Sequence, residues 1–146
     1  MTLSLLRGGT VLASTGSINH LHIICSAPRF YPQIGGLGVL VVNISSVKPG
    51  TTYDSTVILH QGEHPFITHD SYVLYAQAVV WKLESIERRI ESGEILPQDP
   101  LAEPYISNVI GGFFKSPYVP RKILKFVRSQ ISPKRCVFYI PSQESP

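Results

Sequence analysis

The pattern of hydrophobic and polar positions changes period near residue 81. Before it, short apolar runs rich in β-branched residues are separated by turn-forming residues, which is the signature of strands. Residues 20–26, HLHIICS, mix alternation with a continuous apolar centre and predict a strand with at least one buried face. Residues 27–36 hold two prolines and a Gly-Gly pair and predict a long turn or hairpin loop. A stronger strand follows at 38–44, GVLVVNI, ending in Ser45 and Ser46 ahead of a Lys-Pro-Gly turn at 48–50. Residues 54–60, DSTVILH, predict a third strand. Residues 71–81, SYVLYAQAVVW, predict a fourth, with Tyr72, Leu74, Ala76, Ala78 and Val80 on one face. Residues 1–15 lack a firm pattern and read as an arm or a first strand.

Beyond residue 81 the period is helical. Leu83, Ile86 and Ile90 recur on one face while Glu84, Glu87, Arg88 and Glu91 face outward, with Gly93 as a stop. Pro100 opens a second predicted helix to about Ile110, with Leu101, Tyr105, Ile106 and Val109 on one face and Gly111-Gly112 at its end. Pro120 starts a third, with Ile123, Leu124 and Val127 inward and Lys122, Lys125 and Arg128 outward. Residues 136–140 predict a last short strand before a tail. Together these predict a small, mostly antiparallel barrel or sheet with helices behind it: a β core over about 16–81, a helical part over 82–131 packed on it, and a last strand and tail over 132–146.

Length and composition fit that outline. A chain of 146 residues is the size of one domain, 1–146, and buries enough surface to fold without a disulfide or metal staple. The longest apolar run, 37–42, is far shorter than the ~20 residues of a membrane-spanning helix, and Arg7 interrupts any apolar leader. A soluble, cytoplasmic protein without a membrane role is the expectation. Cys25 and Cys136 have neither a CxxC partner nor metal-ligand spacing and read as buried thiols. The net charge of +3 hides an uneven distribution. Residues 1–81 are neutral overall, 82–112 carry minus three, and 113–135 carry plus seven with no acid. Such a block, including Lys115, Arg121 and Lys122, attracts polyanions or forms an ordinary solvated helix face.

The densest polar chemistry lies at 60–75, HQGEHPFITHDSYVLY, which holds three of the five histidines with Glu63, Asp70, Ser71, Tyr72 and Tyr75. His20 and His22 point to the same side of their strand, a geometry that metal sites use. No tight His/Cys/Asp signature accompanies them, so no metal and no cofactor is expected. Acid-base chemistry without a metal needs only groups that titrate near neutrality and hydroxyl or ammonium donors. Cleavage of an RNA backbone requires a base for the 2′-hydroxyl, an acid for the departing 5′-oxygen and a donor for the phosphate charge. His20, Ser45, His64 and His69 would supply these if the strands bring them together. The structural reading makes His60, His64 and His69 local hydrogen-bond partners in a tight loop, with Pro65 and Phe66 wedged into the core.

Residues 20–26 followed by 38–46 resemble the two leading strands of the PemK/MazF-like growth-inhibitor toxins, in which an Arg-Pro-apolar-Ser strand precedes an apolar strand ending in Thr-Ser or Ser-Ser. GEHPFITHDSYVLY at 62–75 resembles a divergent bacterial branch grouped with those toxins. The resemblance spans about 18–80 and, weakly, the helical part. It implies an α+β fold, a small SH3-like antiparallel β-barrel with C-terminal helices. It implies the activity of the toxin of a toxin-antitoxin pair, an endoribonuclease and hydrolase of single-stranded RNA working by metal-independent transesterification. The family's Arg falls on His20, its Pro on Leu21 and its strand-end hydroxyl on Ser45. A histidine offers one donor at a time where an arginine holds a phosphate bidentately, so His20 would act as acid or base instead, or the barrel persists without activity. The expected catalytic residues are His20, Ser45, His64 and His69. The expected substrate-binding residues are His22, Ser46, His60, Ser71, Tyr75, Lys115, Arg121 and Lys122. The implied partners are single-stranded RNA, a protein antitoxin and a second copy of the chain in a homodimer. A non-catalytic SH3-like module binding nucleic acid or peptide is the alternative, and a metal-dependent hydrolase using His20 and His22 is a further one.

Overall fold

The longest strand, Gly36–Ser46, organises the residues that the computed structural model describes, 5–15 and 18–131. Cys136, the strand expected at 136–140 and the tail lie outside them. In chain order the elements are β1 (Thr10–Thr15), β2 (Ile18–Ile24), β3 (Arg29–Tyr31), β4 (Gly36–Ser46), β5 (Ile58–Leu59), β6 (Ser71–Val73), β7 (Val79–Lys82), α1 (Leu83–Glu91), β8 (Leu96–Gln98), α2 (Tyr105–Gly112) and α3 (Arg121–Gln130). The strands make one antiparallel sheet in the order β5-β6-β4-β2-β1-β8. β2 and then β3 run along one edge of β4, and β6 and then β7 along the other. The fold is thus α+β with an open sheet, its end strands β5 and β8 unpaired with each other, rather than a closed barrel. Among the described residues no helix is long and apolar enough to cross a membrane.

β4 reads as a continuous apolar run because both of its faces are covered. Leu40, Val42 and Ile44 join a core with Ile106 and Val109 of α2 and Ile123 and Phe126 of α3. Val39 and Val41 join a second core with Leu83 and Ile86 of α1. Burial of one such side chain contributes about 1.5–3 kcal/mol, against about 0.3–0.5 kcal/mol for an exposed i,i+4 pair such as Glu84 with Arg88. Leu83 and Ile86, not the charges, hold α1 in place. Gly38 permits the close flanking of β4, since a Cβ there would come within 2.6 Å of Val80 Cγ1 and 2.9 Å of Ile34 Cδ1.

Four expectations are corrected. Of 54–60, only Ile58–Leu59 pairs as a strand. Asp54 is drawn into a turn instead: its carboxylate accepts from Thr56 N at 3.0 Å, Thr56 Oγ1 at 2.6 Å and Ser116 Oγ at 2.6 Å. Burial pushes that carboxyl up, but the Ser116 and Thr56 donors outweigh it and leave Asp54 below its ordinary range. The stretch 71–81 is two strands divided by a 3-10 turn at Tyr75–Gln77. The turn breaks the alternation, so Val73, Tyr75, Ala78 and Val80 are buried while Ala76 is exposed and Tyr72 and Leu74 are half-buried. The second helix begins at Tyr105 rather than 100, because Pro104, its N-cap, lacks an N–H and disfavours helical backbone at the residue before it, and the Leu101 N–H bonds to the Gly8 carbonyl at 2.8 Å. The division into a β core at 16–81 and a helical part at 82–131 also shifts, since β1 precedes it and β8, containing Pro97, pairs with β1 from within the helical part.

Candidate active site

The site exists because two neighbouring strands part company. β2 and β4 pair only from Ile24↔Val41 to His22↔Asn43. Beyond that, residues 18–21 of β2 stay with β1, whereas residues 44–46 of β4 turn to β6. The gap opens a cleft of about 620 Å³, closed on its third side by residues 65–69. His20 and Asn19 line it from β2, Ser45 and Ser46 from β4, and Thr68 and His69 from the loop, with Lys48 and the buried Ser71 completing the lining. Among the described residues no carboxylate lines it, whereas Lys48 and two imidazoles do.

His69 is the most engaged of these groups. Its Nε2 shares a hydrogen bond of 2.5 Å with Ser46 Oγ, and its Nδ1 lies 3.2 Å from Thr68 Oγ1. Ser71, directly opposite Ser46 across the β4–β6 ladder, donates its hydroxyl to the His69 carbonyl at 3.0 Å. The ladder thereby fixes both ends of the His69–Ser46 contact. Both side chains remain open to solvent.

The loop that carries His69 is anchored from beneath. Gly62, at φ +88°, makes the turn, and Ile67 inserts into the core beside Leu59 and Val73. His64 is only 2 % exposed. The Phe66 N–H donates to its Nδ1 at 3.0 Å, so Nε2 carries the proton and donates to the Asp99 carbonyl at 2.6 Å. Thr10 Oγ1 donates to that same carbonyl, also at 2.6 Å. His64 therefore holds the loop down with both ring nitrogens committed, and it does not line the cleft.

The remaining expected residues divide in the same way. His20, Ser45, Ser46, His69 and Ser71 are brought together in the cleft. His22 is buried outside it, with its ring 4.9 Å from that of Trp81 and its Nδ1–H donating to the His20 carbonyl at 2.9 Å. Burial pushes its pKa below the ordinary histidine value. His60 is exposed and donates to Asp70 Oδ1 at 2.9 Å, which raises its pKa. Tyr75 is fully buried, edge-on to Phe113, and its hydroxyl donates to the Val109 carbonyl at 2.6 Å. Burial drives its pKa far up, so it is a core residue. Lys115, Arg121 and Lys122 do not line the cleft, and Lys122 borders a different groove. The cation missed in the sequence is Lys48; its place two residues past Ser46, at the same strand end, was the available signal.

No family model, curated protein or solved structure matches the chain. The chemistry of the cleft therefore rests on its geometry. Two imidazoles, one ammonium and several hydroxyls, with no acid among the described residues, suit an anionic substrate that must lose one proton and gain another. Among the described residues no group of three His, Cys, Asp or Glu is placed to hold a metal ion.

Proposed function

We propose that the chain is a toxin-like endoribonuclease of the PemK/MazF-like kind, cleaving single-stranded RNA by metal-independent transesterification in the cleft between β2 and β4. The observation that carries this reading is the contact between His69 Nε2 and Ser46 Oγ in a cleft that also holds His20 and Lys48. His69 takes the proton of the ribose 2′-hydroxyl, directly or through Ser46. The 2′-oxygen forms a bond to phosphorus as the bond from phosphorus to the 5′-oxygen breaks. His20 gives its proton to that leaving oxygen, and Lys48 offsets the charge on the phosphate. The products are a 2′,3′-cyclic phosphate and a 5′-hydroxyl, with atoms and protons in balance. In this reading the open sheet is an unclosed variant of the SH3-like barrel, the protein acts in the cytoplasm, and a protein antitoxin covers the cleft of a chain that pairs with a second copy.

Incubation with single-stranded RNA and, separately, with DNA of the same sequence tests it. Cutting of RNA alone, unchanged by EDTA and leaving cyclic phosphate ends, is the expected result. Equal cutting of DNA, or dependence on an added metal, would remove the mechanism because neither fits attack by a 2′-hydroxyl. The non-catalytic binding module would show as salt-dependent RNA binding without any product.

A further inference from the structure

The reaction proposed for the cleft uses only its polar side chains, yet much of the lining is apolar. Leu21 of β2 and Ile44 of β4 both belong to the core shared with α2 and α3, so the alternation of each strand puts Asn19 and Ser46 on that same face. Ile67 enters the same core and His69 reaches Ser46, which brings the loop at 65–69 over that face too. Where β2 and β4 separate, Leu21, Ile44 and Ile67 therefore make an apolar floor beside the pair of His69 and Ser46. The loop wall carries Phe66, which is 41 % exposed and lines the cleft instead of entering the core. A single exposed phenylalanine is ordinary. This one is held on both sides, by its own N–H on His64 Nδ1 and by the burial of Ile67. From β2, the exposed Asn19 lines the cleft with an amide that makes no hydrogen bond among the described residues.

A nucleotide joins an anion to a flat ring with donors and acceptors on its edge, and the cleft joins a polar side to an apolar one in the same way. We infer that the apolar side of the cleft is a nucleobase subsite, in which a base next to the scissile phosphate packs on the ring of Phe66 above Leu21 and Ile44 while the Asn19 amide bonds its edge. The cleft volume of about 620 Å³ falls within the roughly 300–1,000 Å³ of small-molecule sites, so it has room for a base as well as a phosphate. A side-chain amide offers an acceptor and donors in one plane and pairs at two points with a base edge of complementary order. Phe66 thus supplies affinity for any base, and Asn19 supplies discrimination between bases. The inference rests on the proposed function for its substrate, and it assigns the placing of that substrate to two residues that take no part in proton transfer.

Fluorescence anisotropy of the full chain with two labelled strands of equal length tests it, one oligodeoxythymidylate and the other an abasic deoxyribose phosphate strand. Neither probe has a 2′-hydroxyl, so neither is cut by its attack. The parent binds oligodeoxythymidylate about tenfold tighter than the abasic strand, and Phe66→Ala closes that gap by weakening the base-bearing probe alone, a loss within the range of one stacked base. Phe66→Trp keeps the gap. Phe66 bonds His64 through its backbone and its ring is exposed, so circular dichroism of Phe66→Ala should match the parent. Among oligodeoxythymidylate, oligodeoxyadenylate and oligodeoxycytidylate the parent prefers one by about tenfold, in the lower part of the range for one bidentate base contact, and Asn19→Ala levels the three. Equal binding of base-bearing and abasic strands by the parent, binding of neither, or a Phe66→Ala chain that changes both alike overturns the inference. No preference in the parent, or one untouched by Asn19→Ala, overturns the role of Asn19. RNA left intact by a chain whose base-dependent binding follows Phe66 counts against the reaction alone, whereas RNA cutting by a chain indifferent to bases removes the subsite alone.

Discussion

Ser46 and His69, 23 residues apart in the chain, share a 2.5 Å hydrogen bond at the point where β2 leaves β4. A hydroxyl this close to an imidazole can pass a proton to it, and Ser71 fixes the partner from the neighbouring strand. Ser46→Ala is expected to slow RNA cleavage about tenfold or more without changing the folded spectrum, with Ser46→Thr restoring most of the rate. Single-turnover cleavage of a labelled RNA reads this directly. A Ser46→Ala chain as fast as the parent would leave the hydroxyl as a mere spacer.

The two adjacent glycines of α2 should behave in opposite ways. A Cβ at Gly112 would overlap the Tyr75 hydroxyl, while one at Gly111 meets nothing within 4 Å. Gly111→Ala is expected to stabilise by up to about 1 kcal/mol through helix propensity. Gly112→Ala should destabilise by about 1–3 kcal/mol, through overpacking and displacement of the bond to the Val109 carbonyl. Urea midpoints of the two variants decide the matter. Similar effects of the same sign would contradict the packing described for Tyr75.

His22 should make the protein sensitive to mild acid. Its folded pKa lies below the unfolded value of about 6.5, so the folded state binds fewer protons than the unfolded one between the two. Its stabilising contribution is complete above the unfolded pKa and is lost as pH falls from there through the folded pKa. Urea midpoints between pH 7.5 and pH 5, as working conditions of about that span, should fall less steeply in His22→Phe than in the parent. An unchanged slope would show that His22 is not buried against Trp81 as a neutral ring.

His60 works in the opposite sense. The Asp70 hydrogen bond raises its folded pKa, so its contribution is complete below the unfolded histidine value and fades as pH rises through the raised one. Both groups are more than half exposed, which makes the effect small and salt-sensitive. An NMR titration of the His60 ring should show a midpoint above that of an unpaired histidine, and Asp70→Asn should bring it down. A midpoint unmoved by Asp70→Asn would mean that the pair does not persist in solution.

The elements most legible in the sequence are those whose pattern has a single cause. Leu83, Ile86 and Ile90 gave α1 because a lone amphipathic stripe has one interpretation, and the run at 38–44 gave β4 because both faces are covered. What was not legible depended on partners distant in sequence. β8 is three residues long and contains a proline, and only its pairing with β1 makes it a strand. The histidines show the same limit for the site. His64 and His69 look alike in HQGEHPFITHD, yet Asp99 and Thr10 capture one as an anchor, and the parting of β2 from β4 exposes the other. The sequence of 71–81 looks like one alternating strand, which hides the 3-10 turn that sends Tyr75 into the core rather than toward a substrate.

The most direct measurement is the rate at which the purified full chain cuts a single-stranded RNA in EDTA, compared with its His69→Ala and His20→Ala variants. Loss of about 10²-fold or more in each variant, with parental circular dichroism and cyclic phosphate ends on the residual product, is the predicted result. An intact RNA with the parent chain, or equal cutting by all three, would contradict a reaction in the cleft between β2 and β4.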